Sequence, residues 1–421
     1  MDWIVNLYQQ LMSDPETLKL ISIPFISAAS GWLTNWFAIK LTLYPTKPIP
    51  ITPWFGWQGI LPAKSKKMAG ILMDKTIVHL GSLQDIFREM EPHKIAEYLQ
   101  EDIQKNVEIY VDETMEEIMP VAWANTPLIL KKRFYRRVVT LAPTLANNML
   151  EDIEKNLDQL LDLNEMVVQQ LTDDPALLVR IFKEIGETEM KFGVNSGFWF
   201  GLLFGCIQMY FWSVYPEAWV LPFFGALVGT STNWVVINVI FRPLNPVTVL
   251  PGFNLGFIKT DPIILQGLFL KRQQAVAGEF SRILTTEVMS VSRFMGAMMT
   301  GKNSKRAKLI IKSNLRPYVE SGVAKMVLQL SVGFENYVKV KDRIQDKAIN
   351  LSLNSLNNPR FNSERGAVVS RFFTGQIRDM SPADYQDMLR PAFEEDEWII
   401  LVMGAVLGGL VGFAQFIYIF A

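Results

Sequence analysis

Cysteine and histidine are almost absent from this chain of 421 residues. The single cysteine, Cys206, lies in an apolar run, so no disulfide can form within the chain and nothing indicates an oxidising compartment. With only His79 and His93 beside it, the sequence offers too few ligands for a zinc site, and both histidines are expected on ordinary helix surfaces. We therefore predict no metal and no cofactor.

The sequence also has no excess of charge and no catalytic motif. A net charge of -1 excludes the basic field that gives affinity for nucleic acid, so nucleic acid is not an expected partner. There is no phosphate-binding glycine loop, no serine elbow and no dinucleotide fingerprint, and we predict that the protein is not an enzyme. Residues 1–20 lack the basic region and cleavage site of a secretory signal, so they are expected to remain as an N-terminal extension.

Long apolar runs are what the sequence does contain. Four of them approach the length of about 20 residues that crosses a bilayer, and they are residues 21–43, 194–215, 220–241 and 398–421. Aromatic residues typical of a membrane interface lie near the ends of these runs, at Tyr44, Tyr210, Trp212, Tyr215, Trp219 and Trp398. The predicted fold is an all-α integral membrane protein with four transmembrane helices.

Two polar segments, residues 45–193 and 242–397, separate the runs and show helical periodicity, so each is predicted to be a helical lobe. Helix starts are expected at Ser82, Asp174 and Ser381, whereas the asparagine-rich residues 350–364 indicate a loop. With four spans both lobes fall on one side. Basic residues near the helix ends place that side in the cytoplasm, and they are Lys40, Lys47, Lys183, Lys191, Arg242 and Lys259, against Lys19 alone on the other side.

The sequence contains an internal repeat. Matching positions are offset by 198 residues at first and by 207 or 208 after a ten-residue insertion in the second copy. The matches include residues 31–36 with 229–234, Pro45 with Pro243, residues 58–59 with 266–267, Gly197 with Gly404, and Pro175 with Pro382. Because each copy contains two spans, the copies enter the membrane in the same direction, and we predict a tandem parallel repeat about an axis along the membrane normal.

Small residues four positions apart occur in every span and favour close helix packing. They are Ser27, Gly31, Gly197, Gly201, Gly205, Gly225, Gly229, Gly404, Gly408 and Gly412. The alternative is a glycine-lined passage for a lipid chain or solute.

Polar side chains within the spans must find partners, because an unpaired polar group in hydrocarbon costs several kcal/mol. They are Thr34, Asn35, Gln208, Thr232, Asn233 and Gln415. Interhelical hydrogen bonding is the simplest role, and a pseudo-symmetric intramembrane polar site is the alternative.

Acidic residues precede the second and fourth spans, and their position suggests interfacial ion pairs involving Lys40, Arg242, Glu187, Glu189, Asp396 and Glu397. A divalent cation or a solvated charged face is the alternative. The basic residues Lys64, Lys66, Lys67, Lys271 and Arg272 could contact anionic lipid headgroups or simply face solvent.

Three stretches resemble a known family. They are the Thr-Asn-Trp helix ending at Pro45, the Gln58-Gly59 stretch leading to Lys67, and residues 393–412 with their glycine ladder. Together they resemble the bacterial family called domain of unknown function 445. Relatives have a Gly-Leu-Ile-Pro-Lys stretch, which here reads Gly-Ile-Leu-Pro-Ala-Lys at 59–64. The resemblance implies a multi-pass protein of the bacterial inner membrane and supplies no activity.

Three functions remain open. The first is a non-enzymatic membrane organiser or scaffold, whose lobes bind membrane-protein partners or form a homo-oligomer among membrane lipids. The second is lipid binding or lipid transfer by amphipathic lobe helices or by the glycine-lined spans. The third is a small-solute transporter or channel, which requires a polar cavity lined by Asn35, Asn233, Gln208 and Gln415.

Overall fold

The computed structural model describes residues 15–52, 55–250, 262–319, 334–390 and 397–420, and these are helical apart from two short β-hairpins. In the first half the elements are α1 Pro15–Leu43, β1 Ile49–Thr52, β2 Phe55–Trp57, α2 Ile60–Ala63, α3 Ser65–Leu80, α4 Leu83–Glu89, α5 Pro92–Ile118, α6 Pro120–Ala124, α7 Leu128–Leu160, α8 Leu163–Asp173 and α9 Pro175–Val214. In the second half they are α10 Val220–Phe241, β3 Val247–Leu250, β4 Ile263–Leu265, α11 Leu268–Lys271, α12 Gln273–Ile283, a π-helical turn Leu284–Val288, α13 Val291–Thr300, α14 Ser304–Val319, α15 Phe334–Ser355, α16 Pro359–Arg378, α17 Pro382–Leu389, α18 Glu397–Gln415 and a second π-helical turn Phe416–Phe420.

The chain divides into two compact units that do not follow the order of the sequence. The first unit draws on Met1–Thr76, Leu171–Glu279 and Ile377–Ala421, and the second unit on Ile77–Gln170 and Phe280–Gln376. Each unit therefore takes segments from both halves of the chain.

Three helices in the described part of the chain are long and apolar enough to cross a membrane, namely Pro175–Val214, Val220–Phe241 and Glu397–Phe420. They contain the second, third and fourth predicted spans, although α9 is continuous through position 194, where the prediction began a new element. The first predicted span lies in α1, which is not among the three. Serines, Pro24 and Asn35 lower its apolar content, and its role as a span stays a prediction.

The core of the first unit is a bundle of α1, α9, α10 and α18, in which α1 packs along α9 and α10 packs along α18. Glycines line both contacts. A Cβ added to Gly31 would lie less than 3.0 Å from the carbonyl oxygen of Gly197, and one added to Gly229 would lie equally close to that of Gly404. The two backbones of each pair therefore touch directly, which maximises dispersion contacts between them.

All ten residues predicted for helix packing lie in these two contacts. Gly201 and Gly205 of α9 face Ser27 and its neighbours in α1, and Gly408 and Gly412 of α18 face Gly225 and Leu221 of α10. Helix packing, one of the two interpretations of the small residues, thus describes their contacts.

A β-hairpin follows α1 and another follows α10, and sequence analysis predicted neither. In the first, Ile49 pairs with Trp57, and in the second Val247 pairs with Leu265, with a register shift at the same place in both. The ten-residue insertion of the second copy falls between β3 and β4. Since the strands carry no long alternating pattern, periodicity gave no signal for them.

The second unit is built from antiparallel helices of both halves, with α5 packed on α7 and on α15. One of its apolar clusters joins Val107, Val111 and Trp123 to Val340 of the other half. Tyr98 stacks on Phe361 with 4.2 Å between ring centroids. Sequence analysis assigned these segments to separate lobes, but their amphipathic faces pack against one another.

The predicted helix starts are confirmed. Ser82 forms a capping box with Asp85, and Asp174 and Ser381 accept hydrogen bonds from the first-turn amides of α9 and α17. The predicted loop at residues 350–364 was wrong, because α15 continues to Ser355 and α16 begins at Pro359. The side chain of Asn358 accepts hydrogen bonds from the Arg360 and Phe361 amides in the first turn of α16. This asparagine is therefore the N-cap of α16 in a short connection between two helices.

The glycine contact predicts a specific loss of stability. Gly229→Ala forces two backbones apart and should lower the free energy of unfolding by about 1–3 kcal/mol. Gly70→Ala is the matched control, because a Cβ there meets nothing within 4 Å and alanine should raise helix stability by about 0.5–1 kcal/mol. Unfolding in mixed detergent micelles, followed by circular dichroism, measures both. Equal effects of the two substitutions would contradict the direct backbone contact.

Candidate functional site

The six residues of the predicted intramembrane polar site all lie inside the bundle of the first unit. Their exposed fractions are between 0% and 5%. The polar side chains therefore point inward, while large apolar side chains such as Phe25, Trp199 and Val406 cover the outside of the same helices.

Asn35 and Asn233 make equivalent hydrogen bonds in the two helix pairs. The side-chain amide of Asn35 donates to the Gly193 carbonyl oxygen at 2.8 Å, and that of Asn233 donates to the Ile400 carbonyl oxygen at 2.9 Å. Each bond crosses from one helix of a pair to the other, next to the glycine contact. Interhelical hydrogen bonding, the simpler of the two predicted roles, describes both asparagines.

The two threonines differ. The hydroxyl of Thr232 donates to Asn35 Oδ1 at 3.3 Å and so connects the two helix pairs. The Thr34 hydroxyl donates to the Gly31 carbonyl of its own helix. The polar network is therefore only approximately symmetric.

Gln208 and Gln415 line a small cavity where the two pairs meet, together with Ser27, Ser30 and Gly225. The cavity has room for about one water molecule. Gln208 Oε1 accepts a hydrogen bond from the Ser27 hydroxyl at 2.7 Å. The Nε2 atoms of Gln208 and Gln415 and the Ser30 hydroxyl are buried without a protein partner.

Chemically, this cavity offers amide and hydroxyl donors and no charge. A neutral hydrogen-bond acceptor of the size of water suits it, whereas an ion would lose its hydration without a compensating charge. The structure thus brings Asn35 and Thr232 together, and separately Gln208 and Gln415, and the predicted polar residues do not converge on one substrate-sized site.

The predicted interfacial ion pairs are arranged differently from the expectation. Glu187 pairs with Lys191 at 2.7 Å on the exposed face of α9, and Lys40 lies over the rings of Trp36 and Tyr44. Arg242 is exposed at the end of α10, Glu397 begins α18, and Asp396 lies outside the described residues.

Among the residues predicted for interfacial ion pairs, Glu189 is the one in the described part of the chain whose ion pair is buried. Its carboxylate is 1% exposed, and both oxygens accept from a single guanidinium nitrogen of Arg272 at 2.9 Å. Arg272 thus has a protein partner, and the suggested headgroup contact is not needed to explain it. Burial and the Glu189 charge raise the pKa of Tyr385, which packs in the same region.

Within the described residues, no group of three histidine, cysteine, aspartate or glutamate side chains is arranged to hold a metal ion. No family model, curated protein or solved structure matches the chain. The resemblance to domain of unknown function 445 therefore stays a prediction.

Sequence reasoning missed Ser30 as a residue that lines the cavity, and it missed Glu189 as the partner of Arg272. Ser30 has no counterpart of the same type in the second copy, where Val228 stands, so the repeat search passed over it. Arg272 was considered only as a headgroup contact, and a basic residue at the matching position of the other copy, Lys64, was the available signal that this position matters.

The asparagine bonds predict a graded effect. Asn35→Ala removes a donor to Gly193 and an acceptor for Thr232, and it should lower the free energy of unfolding by about 1–3 kcal/mol. Asn233→Ala removes only one donor and should lower it less. Asn238→Ala is the control, since that exposed amide bonds only within α10. Detergent unfolding compares the three variants. A loss for Asn238→Ala as large as that for Asn35→Ala would refute the interhelical role.

Proposed function

We propose that the protein is a non-enzymatic membrane organiser, anchored by four spans and presenting a helical body built from both halves of the chain. The proposal rests on the packing of the bundle. Its glycine faces are occupied by opposing backbone, and its asparagines are bonded to carbonyls within the bundle. A bundle that satisfies its own groups in this way suits an anchor.

The proposal includes α1 as the fourth span. Its polar residues Ser27, Thr34 and Asn35 are buried, so the surface it offers to lipid carries Phe25 and Phe37 instead. Average composition understates such a helix, because the polar side chains never meet the hydrocarbon.

The proposal also includes a tandem parallel repeat. One support is that the two hairpins have the same strand register, with matching residues 198 positions apart in the first strands and 208 apart in the second strands. Another is that the Gly59 amide donates to the Pro45 carbonyl just as the Gly267 amide donates to the Pro243 carbonyl. Two entries into the membrane in the same direction put both polar segments on one side, which the basic residues assign to the cytoplasm of a bacterial inner membrane.

Transport is the less supported alternative, because the cavity between the pairs has room for about one water molecule. Lipid binding or transfer through the glycine-lined faces is also less supported, since backbone already fills them.

The topology gives a direct test. In a Cys206→Ser background, a cysteine at Glu217 should react with a membrane-impermeant maleimide in intact bacterial cells, and one at Asn147 should react only after permeabilisation. Both positions are exposed, so access depends on the side of the membrane. Labelling of both cysteines in intact cells would contradict the four-span arrangement.

The organiser role predicts assembly. Native mass spectrometry of the full chain, extracted into lipid nanodiscs, should show a homo-oligomer or a copurifying membrane protein in fixed ratio. The Gly229→Ala variant, with a loosened bundle, should lose that assembly more readily than Gly70→Ala. A lone monomer without any copurifying protein would overturn the proposal.

A further inference from the structure

The second unit exposes a concentrated apolar surface at one end of the α5–α7 helical hairpin. Seven large apolar side chains are exposed in its described residues, and two of them, Ile109 and Leu309, have no other exposed large apolar residue close to them in the sequence. The other five form what we call the tip patch, which consists of Val121, Leu128, Ile129, Leu130 and Phe134. Val121 is 75% exposed and Ile129 is 71% exposed, far beyond what a core position shows.

Basic residues follow the apolar first turn of α7 and flank Phe134 of the tip patch. We call them the basic collar, and they are Lys131, Lys132, Arg133, Arg136 and Arg137. Residues 118–150 contain these five basic side chains and no acidic one. Four of the five are exposed, and Lys131 is half-buried with its ammonium 4.8 Å from the centre of the Trp123 ring.

The tip is held in place by buried contacts. Asp112 of α5 accepts hydrogen bonds from Trp123 Nε1 at 2.9 Å and from the Tyr135 hydroxyl at 2.5 Å. Trp123 and Tyr135 belong to an apolar cluster with Val111 and Met119. The exposed side chains therefore sit on a fixed corner between α5, α6 and α7.

Along α7 the apolar first turn comes before the basic residues, and this order matches the layers of a lipid surface; Phe134 is the one tip-patch residue that lies among the basic residues. A helix rises about 1.5 Å per residue, so the collar residues lie roughly 5–14 Å along the helix from Leu128. Interfacial elements bury their apolar groups about 5–10 Å into the boundary between headgroups and acyl chains, and basic groups then lie at the level of anionic headgroups. No side chain caps the start of α7, so the apolar first turn is also the end of the helix at which the partial positive charge of its dipole lies.

We infer that the tip patch and basic collar form a docking surface for an anionic phospholipid bilayer. Charge selects this occupant, because an apolar protein surface would not need five adjacent cations, and a second copy of the same tip would repel them. This contact is additional to the spans and does not depend on the assembly proposed above.

Fluorescence of a single label tests the inference. In a Cys206→Ser background, Ile129→Cys carries the environment-sensitive dye NBD, and the full chain is placed in nanodiscs of phosphatidylcholine. Vesicles of equal parts phosphatidylcholine and phosphatidylglycerol should brighten the dye and shift its emission to the blue, whereas vesicles of phosphatidylcholine alone should not. A second preparation, in nanodiscs containing phosphatidylglycerol, should show the same shift without vesicles if the tip reaches its own bilayer. A dye at Asn147, also on α7, should stay unchanged.

Charge variants separate the collar from general electrostatics. Lys132→Gln with Arg133→Gln should weaken vesicle binding roughly 25-fold, at about fivefold per charge. Lys105→Gln with Lys155→Gln removes two exposed charges elsewhere on α5 and α7 and should change binding less than about twofold. No shift in either preparation, an equal response to uncharged vesicles, or a shift that depends only on protein concentration would overturn the inference. None of these results bears on the oligomeric state, so failure here is distinct from failure of the organiser role.

Discussion

Backbone contact between glycine-lined helices is the constraint on which the first unit depends. Lipid tails are as apolar as leucine, so helices in a bilayer gain little from hiding apolar side chains and must gain from close packing and hydrogen bonds instead. In α1 and α9, as in α10 and α18, the absence of a Cβ lets one backbone reach the other. The same approach brings Asn35 and Asn233 within reach of a carbonyl on the opposing helix. The amide bonds therefore exist only because the glycines do.

Segment exchange between the halves follows from the same geometry. Each tight pair joins the beginning and the end of one half of the chain, so the polar segment between them must leave the pair and return. In the second unit the two returning segments share a core, as the Val340 contact with Val107 and Trp123 illustrates. Separating the two halves of the chain would expose both amphipathic faces, so the second unit has a core that neither half supplies alone.

Features with a strong period or a chemical necessity could be predicted from the sequence. The helical segments, the capping residues and the glycine faces follow from spacing and from the need to satisfy helix ends. The shared core could not be predicted, because an amphipathic stripe says that a helix packs and not which helix it meets. The Glu189–Arg272 pair was missed for a related reason, since charge position along the chain does not reveal that a carboxylate becomes buried. The two hairpins are too short to produce a recognisable alternation.

The distribution of charge directs attention to the second unit for function. Inside the bundle the polar groups are amides and hydroxyls, which can stabilise helix contacts but cannot follow pH or hold an ion without large desolvation costs. The buried carboxylate of Glu189 is matched by Arg272, because leaving such a charge unpaired costs several kcal/mol. The collar charges differ from both, since four of the five are exposed and residues 118–150 contain no acidic side chain, the nearest ones being Glu108, Asp112 and Glu116 on the neighbouring α5. Selection for stability alone does not require five adjacent cations beside exposed leucine and isoleucine. Exposed apolar side chains are unfavourable in water, and adjacent cations are favourable beside anionic lipid. Docking on an anionic bilayer accounts for both features of the tip patch and basic collar.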